Sequence, residues 1–220
     1  MKFKYIVIVL SLSSVLLLYF LSSLSQPTII SLSAVPSNEG KQVLVHGIVT
    51  DSQTMTFGSQ LIIIRDTNST DSSPITLYIE GEIAVEYGDL IQATGIVQQY
   101  NSIWEIAVNN PHFVLILQHW ANRSIPLLQL AKNPTNYVDT NVNVTGVIDS
   151  LTSSNFYLSD PEGGCSLLVT CPHSSTSSFA QGDLVAVNGR FLYDQATLSY
   201  ALKVIDNTHG VTIVERVNHA

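Results

Sequence analysis

Short runs that alternate apolar and polar residues make up most of the chain beyond its first 28 residues. VLVHGIVTD (43–51) and VNVTGVIDS (142–150) are two of them. Apolar residues at every second position bury one face of a strand and leave the other face in solvent. The runs LIIIRD, ITLYIE, NFYLSD and CSLLVTC are also short, rich in β-formers and bounded by turn residues. The pattern therefore predicts an all-β protein.

The pattern occurs twice. YGDLIQATG (87–95) in the first half matches QGDLVAVNG (181–189) in the second, and Gly47 matches Gly146 in the preceding strand. Ala107 and Ala201 each follow the second matched glycine by twelve residues, so we expect the last strands to share one register. Each copy contains five predicted strands, and a glycine inside the long first and fourth strands lets each bend at a barrel corner.

Five short strands with these glycines resemble the OB fold, a five-stranded Greek-key barrel that binds oligonucleotides or oligosaccharides. The segment 124–148, with a short helix, Asn-Pro and Tyr-Val before a strand, resembles the lead-in of archaeal and bacterial anticodon-binding-like OB domains. The resemblance covers residues 29–214 and implies two tandem OB-type barrels. The helix often found between the third and fourth strands is not evident, because 82–87 is short and 172–181 is a Ser/Thr-rich loop.

An uncharged apolar run (5–24) follows Lys2 and Lys4. A run of about 20 apolar residues suffices to cross a bilayer, and positive charge before it places its start in the cytoplasm. The sequence therefore predicts a signal anchor in 1–25, or a signal peptide cut near Ser23 and Ser25. The first OB domain is expected in 26–119, and the linker helix with the second OB domain in 120–220. Both domains would lie outside the cytoplasm, at the cell surface or in the periplasm.

Several polar features bear on that location. Sequons begin at Asn68, Asn122 and Asn143. Cys165 and Cys171 flank one predicted strand, which would hold their Cα atoms about 20 Å apart, so a disulfide requires a sharp bend.

The acidic residues Glu80, Glu82, Glu86 and Asp89 lack calcium-loop spacing and predict a solvated edge. The six histidines lack metal-ligand spacing, and no nucleophile motif occurs, so we expect no metal, no cofactor and no enzyme activity.

The candidate ligand residues are aromatic and basic side chains near the strands and loops that OB folds use. The loops in question are 51–58 and 98–103 in the first copy, and 149–155 and 192–197 in the second. The candidates are Phe57, Arg65, Tyr100, Trp104, Phe156, Tyr157, Arg190, Tyr193 and Lys203. Aromatic residues also fill cores, which is the competing explanation for these rings.

The charge balance decides between the ligands that the OB resemblance implies. The chain has 9 Lys and Arg against 17 Asp and Glu, a formal charge of −8. Because cations that contact phosphates supply most nucleic-acid affinity, this balance disfavours a nucleic-acid partner. The sequence therefore predicts a membrane-tethered binding or scaffolding protein that engages an envelope protein or a glycan. Single-stranded nucleic-acid binding is the alternative.

Overall fold

The computed structural model describes residues 2–24, 26–66, 73–161, 164–171, 179–205 and 207–216. The first half contains α1 (Lys2–Leu24), β1 (Thr28–Ile29), β2 (Gln42–Thr54), β3 (Gln60–Arg65), β4 (Ile75–Ile79), β5 (Leu90–Tyr100), β6 (Ile103–Val108) and β7 (Val114–Gln118), with 3-10 helices at Leu32–Asn38 and Pro111–Phe113. The second half contains β8 (Ser124–Pro126), α2 (Leu127–Lys132), β9 (Thr140–Leu151), β10 (Asn155–Ser159), β11 (Ser166–Thr170), β12 (Leu184–Asp194), β13 (Ser199–Lys203) and β14 (Gly210–Glu215), with 3-10 helices at Trp120–Asn122 and Pro134–Asn136.

Five strands of each half close into a barrel. In the first half the order is β2-β3-β4-β6-β5, and β5 returns to pair with β2. The second half repeats this order as β9-β10-β11-β13-β12, closed by β12 against β9. In both, the third and fifth strands of the barrel are parallel and the other pairs antiparallel. Each half is an OB fold. The predicted tandem arrangement is confirmed.

The repeated unit is larger than five strands. A short strand runs parallel to the first barrel strand in each half, β1 beside β2 and β8 beside β9. A trailing strand, β7 or β14, pairs antiparallel with β5 or β12. Both trailing pairs shift register at the same place, between Leu90 and Ile91 and between Leu184 and Val185. The short strands β1 and β8 were not predicted, because two or three residues are too few to show an alternating pattern.

The matched glycines allow the fourth and fifth barrel strands to approach closely. A Cβ on Gly95 would lie 2.5 Å from the Ala107 carbonyl oxygen, and one on Gly189 would lie 2.9 Å from that of Lys203. Ala107 therefore corresponds to Lys203, so the expected match of Ala107 with Ala201 is wrong by two residues. The reason is hairpin length: two residues separate Tyr100 from Ile103, whereas four separate Asp194 from Ser199.

Strand alternation fills the two barrels with aliphatic side chains. The first core includes Ile62, Ile64, Leu77, Ile91 and Ile106. The second includes Val144, Ile148, Phe156, Val169 and Leu202, all at most 1 % exposed. Ile48, on a strand of the first barrel, packs into this second core. The two barrels therefore bury apolar surface against each other.

The N-terminal apolar run is helical, as α1. Judged on the residues that the structure describes, no helix combines the length and apolar character needed to cross a membrane. A signal anchor or signal peptide in 1–25 and a location outside the cytoplasm stay predictions.

The cysteines and two of the three sequons lie within the described residues. Cys165 and Cys171 are free thiols immediately before and after β11. Asn122 is exposed. The Asn143 Nδ2, the atom to which an N-linked glycan would attach, donates to the Ala121 carbonyl oxygen at 2.7 Å. Asn68 lies outside the described residues.

Candidate functional site

A row of polar side chains crosses the outward face of the second barrel. Asn155 on β10 lies opposite Thr170 on β11, Thr170 lies beside Lys203 on β13, and Lys203 lies opposite Arg190 on β12. Their strand neighbours Phe156, Val169, Leu202 and Phe191 are buried, so alternation places these four residues on the outward side of the barrel. The Oδ1 atom of Asn155 is itself buried. Adjacent strands are about 4.8 Å apart, which places the two cations side by side. We call Asn155, Thr170, Lys203 and Arg190 the cationic row.

A second row lies two residues further along the same strands, about 7 Å away. Tyr157 on β10 lies opposite Leu168 on β11, and Leu168 lies beside Ala201 on β13. Ala201 lies opposite Leu192 on β12. Tyr157 is 45 % exposed, and Leu168 and Leu192 are partly exposed. We call these four residues the apolar row. The face therefore presents positive charge and an aromatic ring in parallel lines, which suits a polymer with an anionic backbone and planar side groups.

The cationic row ends at a groove between the barrels. The groove has a volume of about 380 Å³ and is lined by Arg65, Asp51 and Tyr87 from the first barrel and by Arg190 and Asp139 from the second half. The Arg190 guanidinium carbon lies 4.0 Å from the centre of the Tyr87 ring. A cation over an aromatic face is attracted by the ring quadrupole, which helps to fix Arg190 at the end of the row.

Arg65 joins the same groove from the other side. Its Nη1 donates to the Thr135 carbonyl oxygen at 2.7 Å. The structure thus brings Arg65, Arg190 and Lys203 together, although they are far apart in sequence. Asp51 and Asp139 offset part of the positive charge in the groove. Lys203 has an acidic neighbour of its own, Asp194, whose pKa is lowered chiefly by the Ala196 N–H and to a smaller extent by Lys203.

The turn before β5 holds the two barrels together. The Trp120 backbone N–H donates to Asp89 Oδ1 at 3.0 Å, and the indole Nε1–H donates to Glu86 Oε2 at 2.8 Å. Trp120 and Asp89 are each 1 % exposed. A Cβ on Gly88, whose φ is +95°, would overlap the Asn141 carbonyl oxygen. The prediction of a solvated acidic edge is therefore wrong for Asp89, which is buried because it accepts hydrogen bonds at this junction.

Burial also affects one cation at the junction. Desolvation lowers the pKa of Arg123, and the charges of Tyr137 and Asp89 partly offset this effect. The Arg123 Nη2 donates to the Gly88 carbonyl oxygen at 3.3 Å. In the described residues no group of three or more His, Cys, Asp and Glu side chains could hold a metal ion.

The first barrel has a different outward face. The positions equivalent to the cationic row hold Leu61, Tyr78, Ala107 and Ile96, which are paired in the same order across β3, β4, β6 and β5. None of these four side chains is charged. The next row contains Ile63, Thr76, Glu105 and Gln98, and the Gln98 amide donates to Glu105 Oε1 at 2.6 Å. These two rows of the first barrel are therefore neutral to acidic.

The other predicted ligand residues lie in three different settings. Phe57, at the β2–β3 turn, is 98 % exposed, and Tyr100, on the β5–β6 hairpin, is 64 % exposed. Trp104, on the same hairpin, is partly buried against the first core. Tyr193 forms a ring contact with Tyr200, with centroids 5.1 Å apart, at the end of the second barrel. The ring residues do not converge on one surface.

Phe156 does not reach the surface of the second barrel. It was predicted to contact a ligand, but it is 1 % exposed and lies in the second core with its ring 6.3 Å from that of Phe179. Its neighbour Tyr157 points outward instead, because successive strand residues face opposite sides. Thr170 and Leu168 were missed because neither is aromatic or charged, although the alternation in CSLLVTC places both on the outward face.

The comparisons with known proteins concern the fold. No protein-family model matches the chain, and no curated protein matches its sequence. Among solved structures, an aspartyl-tRNA synthetase from Leishmania major matches 44 % of this chain and 22 % of its own at 13 % identity, with a TM-score of 0.36. Asparaginyl-tRNA synthetase from Pyrococcus horikoshii matches 41 % of this chain and 23 % of its own at 17 % identity, with a TM-score of 0.34.

Fission yeast Pot1, solved with single-stranded DNA, matches 89 % of this chain and 90 % of its own at 12 % identity, with a TM-score of 0.31. The chain spans less than a quarter of the length of the two synthetases. At sequence identities this low, the similarity to these structures concerns the fold alone.

Proposed function

We propose that the chain is a binding protein that holds a single strand of nucleic acid on the outward face of the second barrel. Lys203 and Arg190 contact successive phosphates, and bases lie on Tyr157, Leu168 and Leu192 in the apolar row. The observation that carries the proposal is the direct pairing of Lys203 with Arg190, on a face whose adjacent row holds an exposed tyrosine, Tyr157, two strands from Lys203. Stacking on an aromatic ring supplies sequence-tolerant affinity beside phosphate contacts.

The overall charge makes this binding weak and limits its salt dependence. A protein that neutralises Z phosphates of a single strand loses affinity with a logarithmic salt slope of about −0.7 Z. If Arg65, Arg190 and Lys203 each meet one phosphate, the slope is about −2, which makes binding about 20-fold weaker at 200 mM than at 50 mM salt. The net charge of −8 repels the strand elsewhere, so binding is expected at low salt.

An envelope protein or glycan as the main ligand remains the prediction from the apolar N-terminal run and the acidic charge. The cationic row favours an anionic polymer over either. The two proposals differ in their response to salt, because recognition of a neutral ligand is insensitive to counterion release.

The test is fluorescence anisotropy with a labelled single strand of about 10 nucleotides, within the size range of one OB fold, across a salt series. Lys203→Glu should weaken binding about 10-fold or more, because it removes one phosphate contact and adds repulsion. The matched control is Lys132→Glu on α2, which makes the same charge change at an exposed lysine off this face.

A second pair of variants tests the apolar row. Tyr157→Ala should weaken binding about 10-fold through lost stacking, whereas Tyr100→Ala, which removes an exposed tyrosine from the first barrel, should not. Equal losses in Lys203→Glu and Lys132→Glu would show that only net charge matters. Absence of binding at about 50 mM salt would reject the proposal.

A further inference from the structure

A pocket at one end of the first barrel lies away from the cationic row. It has a volume of about 420 Å³ and is enclosed by the 3-10 helix Leu32–Asn38, the start of β4 and the β5–β6 hairpin. Its lining includes Trp104, Ser33, Ser73, Ser102, Pro36 and Pro74. We call it the end pocket. Its volume lies within the range of sites for small ligands, about 300 to 1,000 Å³.

The end pocket combines an aromatic wall with a hydroxyl rim. Trp104 packs partly against the first core, which restrains the ring while one side lines the pocket. Ser33, Ser73 and Ser102 are exposed, and each hydroxyl can both donate and accept hydrogen bonds. Among the described residues that line it, none is Asp, Glu, Lys, Arg or His. The pocket therefore offers a flat apolar surface and neutral hydrogen-bonding groups.

This chemistry fits one class of ligand. An anion would find no countercharge among the described lining residues. A purely apolar ligand would displace water from three hydroxyls without replacing their hydrogen bonds. A pyranose ring presents C–H groups on its face and hydroxyls around its rim, which matches an indole face beside serine hydroxyls. We propose that the end pocket binds a neutral saccharide, at a site independent of the nucleic-acid surface proposed above.

The second barrel supplies a natural comparison. Tyr200 on β13 is equivalent to Trp104 on β6. Tyr200 lies opposite Tyr193, the second-last residue of β12, and Trp104 lies opposite Gln99, the second-last residue of β5. The pocket beside Tyr200 is smaller, about 260 Å³, and is lined by Thr135, Val138, Tyr193 and Tyr200. It has no serine rim. We therefore expect saccharide binding in the first barrel only.

Tryptophan fluorescence tests the site directly. The chain has two tryptophans, and Trp120 is buried at the barrel junction. Cellohexaose, maltohexaose and chitohexaose are titrated into the full chain while emission is recorded. At least one should give a saturable change that persists in Trp120→Phe and is the same at about 50 and 200 mM salt, because the ligand is neutral.

Two serine variants separate binding from folding. Ser33→Val with Ser73→Val removes exposed hydroxyls from the rim and should weaken saccharide binding about 10-fold, with an unchanged unfolding midpoint. The matched control is Ser37→Val with Ser199→Val, which alters exposed serines outside the lining. No saturable response to any of the three sugars, or an equal response in both double variants, would overturn the proposal. Neither result would affect oligonucleotide binding, which is measured separately.

Discussion

The two barrels differ where they face solvent and agree where they face inward. Gly95 and Gly189 make the same close approach to the fifth barrel strand, and both trailing strands shift register at the same point. Outward, Lys203 and Arg190 of the second barrel replace Ala107 and Ile96 of the first. Barrel closure constrains buried positions and glycines, whereas outward positions are free to change. One barrel can thus carry a charged ligand surface that its neighbour lacks.

The junction shows the same asymmetry. The turn at Gly88 is buried against Asn141 and Trp120, whereas the equivalent Gly182, with a φ of +93°, is partly exposed at the far end of the second barrel. Both turns have the same internal hydrogen bond, from the Glu86 N–H to Asp89 and from the Ala180 N–H to Asp183, each at 2.9 Å. The same type of turn therefore forms part of the contact between the barrels in the first copy.

The largest effect is expected from breaking the junction. Trp120→Ala removes a buried indole and the Nε1–H that donates to Glu86, whereas the backbone N–H that donates to Asp89 is retained. It should lower the free energy of unfolding by about 4 kcal/mol. We expect chemical denaturation followed by circular dichroism to show one transition in the native chain and two in the variant. A single transition with a loss below about 1 kcal/mol would mean that the barrels do not depend on this contact.

A smaller loss is expected within one barrel. Gly95→Val places a side chain against the Ala107 carbonyl and Ile106, and should cost about 3 kcal/mol. Gly189→Val should cost less, since its nearest neighbour is 2.9 Å away rather than 2.5 Å. Urea denaturation of the two variants measures the order. The reverse order would show that the second barrel tolerates crowding less well than its geometry implies.

The tandem fold could be predicted from sequence, because alternation and matched Gly-Asp-Leu turns are local features. The cationic row could be predicted only in part. Arg190 and Lys203 were candidates, but their pairing depends on a hairpin two residues longer than in the first copy, and that length was not recognised. Phe156 was predicted to face a ligand but lies in the core, because neighbouring residues of a strand point to opposite faces of the sheet. The role of Trp120 depends on long-range contacts that no sequence period reveals.

Transferring the cationic row would sharpen the comparison between the faces. Ile96→Arg with Ala107→Lys puts cations at the equivalent positions of the first barrel, where Ile96 is 49 % exposed. We expect the variant to bind two labelled strands per chain at about 50 mM salt instead of one. Analytical ultracentrifugation gives the stoichiometry. If the native stoichiometry is retained, charge alone is insufficient and the apolar row of the second barrel is required as well.

The smallest effect concerns alkaline pH and again distinguishes the barrels. Burial raises the pKa of the Cys171 thiol from 9.0 to about 11. The protonated thiol is favoured in the folded state, so its contribution to stability is complete below pH 9.0 and is lost as the pH rises to about 11. Cys171→Val should reduce the alkaline loss of stability measured by urea denaturation between these pH values. An identical pH profile in the variant would contradict this assignment.

The most direct test of the central claim is residue-resolved mapping of oligonucleotide binding by amide NMR at about 50 mM salt. We predict that shifts concentrate on β10, β11, β12 and β13 around Tyr157, Thr170, Arg190 and Lys203, and extend to Arg65 at the groove. Leu61, Ile63, Thr76 and Tyr78 on the outward face of the first barrel should not respond. Shifts centred on the first barrel, or spread evenly over both, would contradict the assignment of the ligand surface to the second barrel.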